Sequence, residues 1–366
     1  MNAERVKIGF IPLVDAAAPI IAAERGFAAE EGLEIELVRE VSWANIRDRL
    51  TFGHFDAAHL LAPLAISTSL GLGGIRAALA APMALGLNGN AITLTPHLHE
   101  ELLANLAPGA DPNDPAATGA AFAQTVRARR RRGDERPTLG MTFPFSTHNY
   151  QLRLWLAAAG LDPDDDVRLA VAPPPYMVDA LRSGHVEGFC VGAPWNSVAV
   201  ELGIGRILHL GVDLVRRCPE KVLATRAAWL DEDTGRTERL VRAMVKAGEW
   251  LDAPDNHAEA ARLLGAPGML DVPEPLIRRA LDGRIPTGPN GPVREAADYL
   301  VFARDGAMRP DPRHARWLYG EMARWGQATG AEAAEAEAVY RPDIFDAAVG
   351  APAVPQPADP LGLFTD

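Results

Sequence analysis

Cysteine is almost missing: Cys190 and Cys218 are the two in 366 residues. Two thiols cannot build a disulfide framework, and neither has a metal-ligand partner at short spacing, so both read as buried and reduced. Long apolar runs are missing too. No stretch approaches the ~20 residues that cross a bilayer, which excludes a membrane-spanning helix. Excess basic charge is missing, since 36 Lys and Arg face 48 Asp and Glu and leave a net charge of −12. That balance argues against broad, salt-driven adhesion to nucleic acid or to an anionic membrane, so any anion pocket must be local. The opening MNAERVKIGFIPLVD has no apolar h-region and no small-residue cleavage site, from which a cytoplasmic location is expected. Catalytic signatures are missing as well: there is no G-x-S-x-G, P-loop, dinucleotide fingerprint or H-E-x-x-H. His54 and His59 lie five apart around one strand and point to opposite faces, which makes them poor joint metal ligands. Nothing here demands an enzyme, a cofactor or a metal.

What is present is a chain 48% apolar, long enough for two compact α/β lobes. Residues 141 to 160, MTFPFSTHNYQLRLWLAAAG, read as strand, tight turn and helix. Ser146 and Thr147 are both good caps, Leu152, Trp155, Leu156 and Ala159 recur at helical spacing, and Gly160 sits where a left-handed residue ends the helix. His148 therefore falls in the first turn, where unpaired N–H groups and the helix dipole favour a small anion.

Taken in order, Val6 to Phe10, a helix at Pro19 to Arg25 and Leu33 to Val38 spell β, α, β, the start of a parallel sheet. Ser42 caps a helix from Trp43 to about Phe52, and Phe55 to Leu60 is a third strand. Asn88, Gly89 and Asn90 separate two short strands, with an interlobe crossing near 93 to 96. Strands follow at Val167 to Val171 and Val186 to Val191. Ile207 to Leu210 and Val222 to Thr225 read as strands returning to the first lobe, with Lys221 at the mouth of the second. From Thr237 the pattern is helical, with a loop at Pro286 to Pro292. The resulting division is 1–93 for the first part of lobe 1, 94–200 for lobe 2, 201–345 for the return and C-terminal helices, and 346–366 for a loose proline-rich tail.

Each candidate residue has an ordinary explanation beside the functional one. His148 can donate to an anion or simply occupy a first turn. Lys221 can project a fixed charge or be a solvated strand end. Trp43 can wall a pocket or staple its helix. Asn90 can donate its amide or serve the turn, and Gly192 can present a backbone N–H or merely allow one. The run Arg129 to Arg132 can contact an acidic partner or be the solvated end of a helix Ala117 to Arg130.

Taken together, GFIPLVDAAAPIIAAERGF, SWANIRDRLTFGHFDAAHLLAP, LNGNAIT, FPFSTHN, PPPYMVDAL, GFCVGAPWN and CPEKVLATR resemble the nitrate- and bicarbonate-binding proteins of ABC transporters. The resemblance implies a two-lobed periplasmic-binding-protein-like fold of the second type, with the ligand in the inter-lobe cleft. It carries the family's nitrate site onto Trp43, Asn90, His148, the Gly192 backbone and Lys221. Asn90 stands where the nitrate branch has glutamine, and Ala193 where it has glutamate, so amide reach and cleft rim differ. A lysine at 221 sets the chain apart from the bicarbonate branch, which places a carboxylate there and uses calcium, because lysine repels calcium and attracts nitrate or nitrite. On that basis Lys221→Glu is expected to abolish anion binding and leave the fold intact.

With no leader apparent, the resemblance is closest to the cytoplasmic NasS-type nitrate/nitrite sensors, which hold an RNA-binding antiterminator of NasT type inactive until the anion binds. RNA contact then belongs to the partner, in keeping with this chain's acidity. Two other functions remain open: a transporter solute-binding subunit, and an enzyme on the same fold resembling the thiamine-pyrimidine synthases.

Overall fold

A computed structural model describes residues 3–329, 332–351 and 357–365. The chain divides into two units: unit 1 is Met1–Leu87, Pro219–Leu281 and Leu300–Pro360, and unit 2 is Asn88–Cys218, Asp282–Tyr299 and Leu361–Asp366. The strands of three or more residues are β1 (Glu4–Phe10), β2 (Leu33–Arg39), β3 (Ala57–Leu61), β4 (Leu79–Ala84), β5 (Asn90–Leu94), β6 (Thr138–Met141), β7 (Arg168–Val171), β8 (Gly188–Gly192), β9 (Arg206–Leu210), β10 (Lys221–Arg226), β11 (Arg284–Pro286) and β12 (Val293–Glu295).

Unit 1 is built on a five-stranded sheet in the order β2-β1-β3-β10-β4. β1 runs parallel to β2 and β3, as the β, α, β opening predicts, whereas β10 returns antiparallel to β3 and β4. Its first residue, Lys221, therefore pairs with Leu61 at the carboxyl end of β3. That is the end where open α/β sheets hold ligands. Val6, Ile8 and Phe10 of β1 are buried, and Phe55 closes over Gly9, where an added Cβ would lie 2.4 Å from the ring. Only a glycine admits that contact. The helix Trp43–Thr51 starts as its capping residue demands, Ser42 Oγ accepting from the Asn45 N–H at 3.2 Å.

Unit 2 has a second five-stranded sheet, β9-β5-β8-β6-β7, with β6 parallel to β7 and β8 and with β5 antiparallel to β8 and β9. The central helix runs Thr147–Ala158, capped by Ser146 Oγ on the Asn149 N–H, and Gly160 follows it at φ 72°. Its buried face carries Leu152, Trp155 and Leu156. Trp155 packs 5.0 Å from the Phe122 ring and donates to the Pro115 carbonyl at 3.1 Å, so both its apolar and its polar parts are satisfied.

Several expectations change. Ile207 to Leu210 does not return to the first lobe; β9 pairs with β5 in the unit 2 sheet. A strand pattern alone names no partner. The strands flanking Asn88–Gly89 belong to different sheets, although both residues have positive φ. Residues 95–96, placed near the crossing, cap and start a helix, Pro96–Ala104, and the contact division instead falls after Leu87 and after Cys218. The loop at Pro286 to Pro292 sits within a β11–β12 hairpin. The arginine run ends a helix, Pro115–Arg132, but Arg129 is buried, donating to Glu101 and Glu187 at 2.9 Å each. The last segment is not uniformly loose: Pro342–Val349 is helical, and the N–H of Phe364 reaches the Leu214 carbonyl at 3.0 Å. The part of that tail at 352–356 lies outside the described residues.

Candidate functional site

Trp43 and Lys221 belong to unit 1, and Asn90, His148 and Gly192 to unit 2. Unit 1 brings its two together. The Lys221 ammonium lies 5.5 Å from the centroid of the Trp43 indole, within cation–π range. Both side chains are about 1% exposed. Lys221 is no solvated strand end, nor is it a lone charge: its Nζ donates to Asp15 Oδ2 at 2.8 Å and to Glu220 Oε2 at 2.6 Å. Asp15 also meets His59, whose Nε2 is 2.8 Å from Oδ1, and His59 Nδ1 accepts weakly from the Ile11 N–H at 3.5 Å. The ring is therefore the Nε2–H tautomer, neutral between a donor and an acceptor.

The electrostatics follow from burial and pairing. Burial pushes the Asp15 carboxyl up, but Lys221 and His59 outweigh it and hold the group well below the usual carboxylate range. For Lys221, burial lowers the pKa and the two carboxylates more than reverse it. Burial, with Lys221 adding to it, keeps His59 below its ordinary value despite Asp15. The groups gathered here are two carboxyl side chains, one ammonium and a neutral imidazole. Lys221→Glu would then gather three carboxylates in one buried place, so the expectation that this variant keeps its fold is withdrawn.

Two donors in unit 1 stay unspent. Two of the three ammonium protons of Lys221 have acceptors, and Trp43 Nε1, buried, has no hydrogen-bond partner among the described residues. A buried indole N–H without a partner is uncommon and marks a place where an acceptor belongs.

In unit 2, Asn90 and Gly192 face each other across the β5–β8 ladder, and the Asn90 amide donates to Gln151 Oε1 at 3.2 Å. Gln151 in turn donates to the Gly211 carbonyl at 3.3 Å, and Cys190 Sγ lies 3.6 Å from its Oε1. His148 is buried at the second position of its helix, with Nδ1 3.1 Å from Thr142 Oγ1. That contact orients the ring by the next-shell logic familiar from ligating histidines. Gln151 was legible in principle, one turn beyond His148 on the same helix face. Asp15 and His59 were not, because they reach Lys221 from 206 and 162 positions away in sequence.

Residues 1–265 match the NMT1-like family. The nitrate import ATP-binding protein NrtC of Synechocystis sp. is 32% identical over 343 residues, 92% of this chain, which spans 49% of that relative's length. The nitrate/nitrite binding protein NrtA of Nostoc sp. is 32% identical over 327 residues, covering 88% of this chain and 71% of the relative. Among solved structures, the periplasmic nitrate-binding protein NrtA from Synechocystis superposes with a TM-score of 0.86 at 30% identity, covering 98% of this chain and 92% of that one. The architecture is thus the α/β periplasmic-binding-protein-like fold, and the chain belongs to the NMT1-like family, with nitrate-binding proteins of ABC transporters among its relatives.

Proposed function

We propose that this chain binds nitrate or nitrite through Trp43 and Lys221 of unit 1 and Asn90, His148 and the Gly192 N–H of unit 2. The observation that carries the reading is the pair of unspent buried donors at Trp43 and Lys221, in a chain whose relatives include nitrate/nitrite binding proteins. Nitrate is flat, weakly hydrated and has no proton to give, so a pocket of N–H donors suits it. Micromolar binding would correspond to about −8 kcal/mol, enough to shift a two-state equilibrium if the two states differ in affinity by most of that.

The output of binding, in this reading, is regulatory: a cytoplasmic sensor that holds an RNA-binding antiterminator of NasT type until the anion arrives. The net charge of −12 supports leaving RNA contact to the partner. The second reading, a solute-binding subunit of a nitrate ABC transporter, is favoured by the transport names of the relatives. Isothermal titration of nitrate, with bicarbonate plus calcium as the comparison, tests the ligand: saturable one-to-one nitrate binding is expected, and heat only from bicarbonate with calcium refutes it. Capture of a purified NasT-type protein, released by nitrate, tests the output. No capture, together with nitrate uptake in vesicles carrying a permease, would assign the chain to transport instead.

A further inference from the structure

Residues 142–147 carry hydroxyls at Thr142, Ser146 and Thr147, and two of these are engaged. Thr142 Oγ1 lies 3.1 Å from His148 Nδ1. Ser146 Oγ caps the helix, accepting from the Asn149 N–H at 3.2 Å and donating to the Phe143 carbonyl at 2.6 Å. Thr147 differs from both: it is 0% exposed, and its Oγ1 has no hydrogen-bond partner among the described residues. A buried hydroxyl left unpaired destabilises the protein that carries it, and its place calls for an explanation.

Helix geometry says which way that hydroxyl faces. Thr147 is the first residue of the helix Thr147–Ala158, and Gln151 lies one turn further along the same face. At about 100° per residue, the direction of Gln151 falls between those of Thr147 and His148. Gln151 accepts from the Asn90 amide, and Asn90 pairs with Gly192 across the β5–β8 ladder. Thr147 and His148 therefore flank the direction in which Asn90 and Gly192 lie. They stand one turn nearer the helix start, toward which helical side chains lean. Thr237 is the contrast. It is equally buried, its Oγ1 also has no partner among the described residues, and it sits in the first turn of Thr234–Leu251. That helix start, however, is closed by Asp233, whose carboxylate accepts from the Arg236 N–H at 2.9 Å and repels an anion.

We propose that the Thr147 hydroxyl donates to the bound anion, as a further ligand-binding group of unit 2 beside Asn90, His148 and the Gly192 N–H. The proposal rests on the anion-binding reading above. Nitrate and nitrite bring only acceptors, and a hydroxyl rotates to present its O–H to whichever oxygen is in reach. No group of the protein depends on this hydroxyl, so deleting it should weaken the ligand without weakening the fold. A hydroxyl that served the fold would do the reverse.

The test joins two measurements on the full chain: calorimetric titration with nitrate, and urea unfolding in nitrate-free buffer followed by far-UV circular dichroism. Thr147→Val keeps the shape and removes the O–H, Thr147→Ser keeps the O–H, and Thr237→Val deletes a buried hydroxyl elsewhere. Thr147→Val should bind nitrate about tenfold more weakly or worse, as expected for one hydrogen bond to a charged group, with a urea midpoint equal to or above that of the wild type. Thr147→Ser should stay within about threefold of the wild type, and Thr237→Val should match it. Wild-type affinity in Thr147→Val overturns the proposal, as does equal weakening in Thr147→Ser or in Thr237→Val. A lower urea midpoint in Thr147→Val also overturns it, because the hydroxyl then supports the fold. Each of these results leaves the anion reading standing. No nitrate binding by the wild type overturns that reading, and this proposal with it.

Discussion

Replacing Lys221 by methionine keeps the stem of the side chain and deletes the charge. In the wild type the ammonium sits 2.8 Å from Asp15 and 2.6 Å from Glu220, 1% exposed, at the start of β10. Removing one partner from a buried ionic group leaves the rest uncompensated, at a cost of about 3–5 kcal/mol. A typical domain has about 5–15 kcal/mol in total, so Lys221→Met should be severely destabilised but measurable. The pH dependence is the sharper signature. In the wild type Asp15 is held below the ordinary carboxylate range, so its stabilisation is present above that range and is lost only in strong acid. Lys221 is raised, so its contribution persists until alkaline pH. Above pH 6.5 and up to pH 8 the wild type should therefore be flat with respect to this cluster, while below 6.5 it loses stability because the unfolded His59 imidazole takes the proton before the buried one does. Without the ammonium, burial dominates and raises the carboxyl pKa values above their unfolded values; stability is then fullest at low pH and falls as pH rises through the new folded values, by up to about 1.4 kcal/mol per pH unit per proton. Urea unfolding followed by far-UV circular dichroism at pH 5, 6.5 and 8 reads both effects. A loss below 1 kcal/mol, or a variant whose pH slope matches the wild type, would refute the buried-triad account.

Three other perturbations follow from single contacts. His209 is buried, with Nε2 2.6 Å from Thr118 Oγ1, and burial pushes its pKa down to about 4; stability should fall by up to about 3 kcal/mol between pH 6.5 and 4 as the unfolded imidazole takes the proton first, and an NMR titration midpoint near 6.5 would contradict this. Asp252 accepts from the backbone N–H groups of Phe302, Ala303 and Arg304 at 3.2, 2.6 and 2.6 Å, so Asp252→Ala should lower unfolding free energy by about 2 kcal/mol, with a change under 0.5 counting against it. Gly86 has φ 117° and an added Cβ would lie 2.4 Å from the Val301 carbonyl oxygen, whereas Gly320 stands in open space on an exposed helix position. Gly86→Ala should cost about 2 kcal/mol or more and Gly320→Ala should gain about 0.5–1 in the same denaturation assay; equal effects would undo the distinction.

Local structure was legible where one stretch of chain contains its own instructions. Ser42 and Ser146 cap the helices that their spacing announces, and Gly160 closes the second in the left-handed conformation. Partner choice was not legible. Ile207 to Leu210 has the same apolar strand pattern whether it pairs in one sheet or the other, and what decides is its antiparallel register against Asn90–Leu94, a contact across more than a hundred residues. The 284–295 hairpin was hidden for a related reason, since Val293 and Glu295 are exposed and carry no periodic apolar signal. Arg129 shows the converse: in a run of four arginines nothing local says which one turns inward to Glu101 and Glu187.

The same limit governs the candidate site. Residue type at single positions is enough to suggest donors, so Trp43, Asn90, His148 and Lys221 could be singled out; charge balance is a property of the assembled neighbourhood and could not. A lone lysine at a strand mouth predicts attraction of any anion and repulsion of calcium. A lysine already shared by Asp15 and Glu220 predicts something different: its charge is spent on holding those carboxylates, and what it offers an anion is one directed N–H beside the indole N–H of Trp43. In the proposed site, selectivity then comes from donor geometry, since the ammonium already serves one oxygen each of Asp15 and Glu220. Bicarbonate, which must place its own O–H, fits such donors worse than nitrate or nitrite does, and this disadvantage would remain even if the net charge were altered. Glu220→Gln therefore separates the two explanations: if field alone selects the ligand, removing a carboxylate improves nitrate and bicarbonate alike; if donor geometry selects, nitrate gains and bicarbonate stays unbound in a parallel titration.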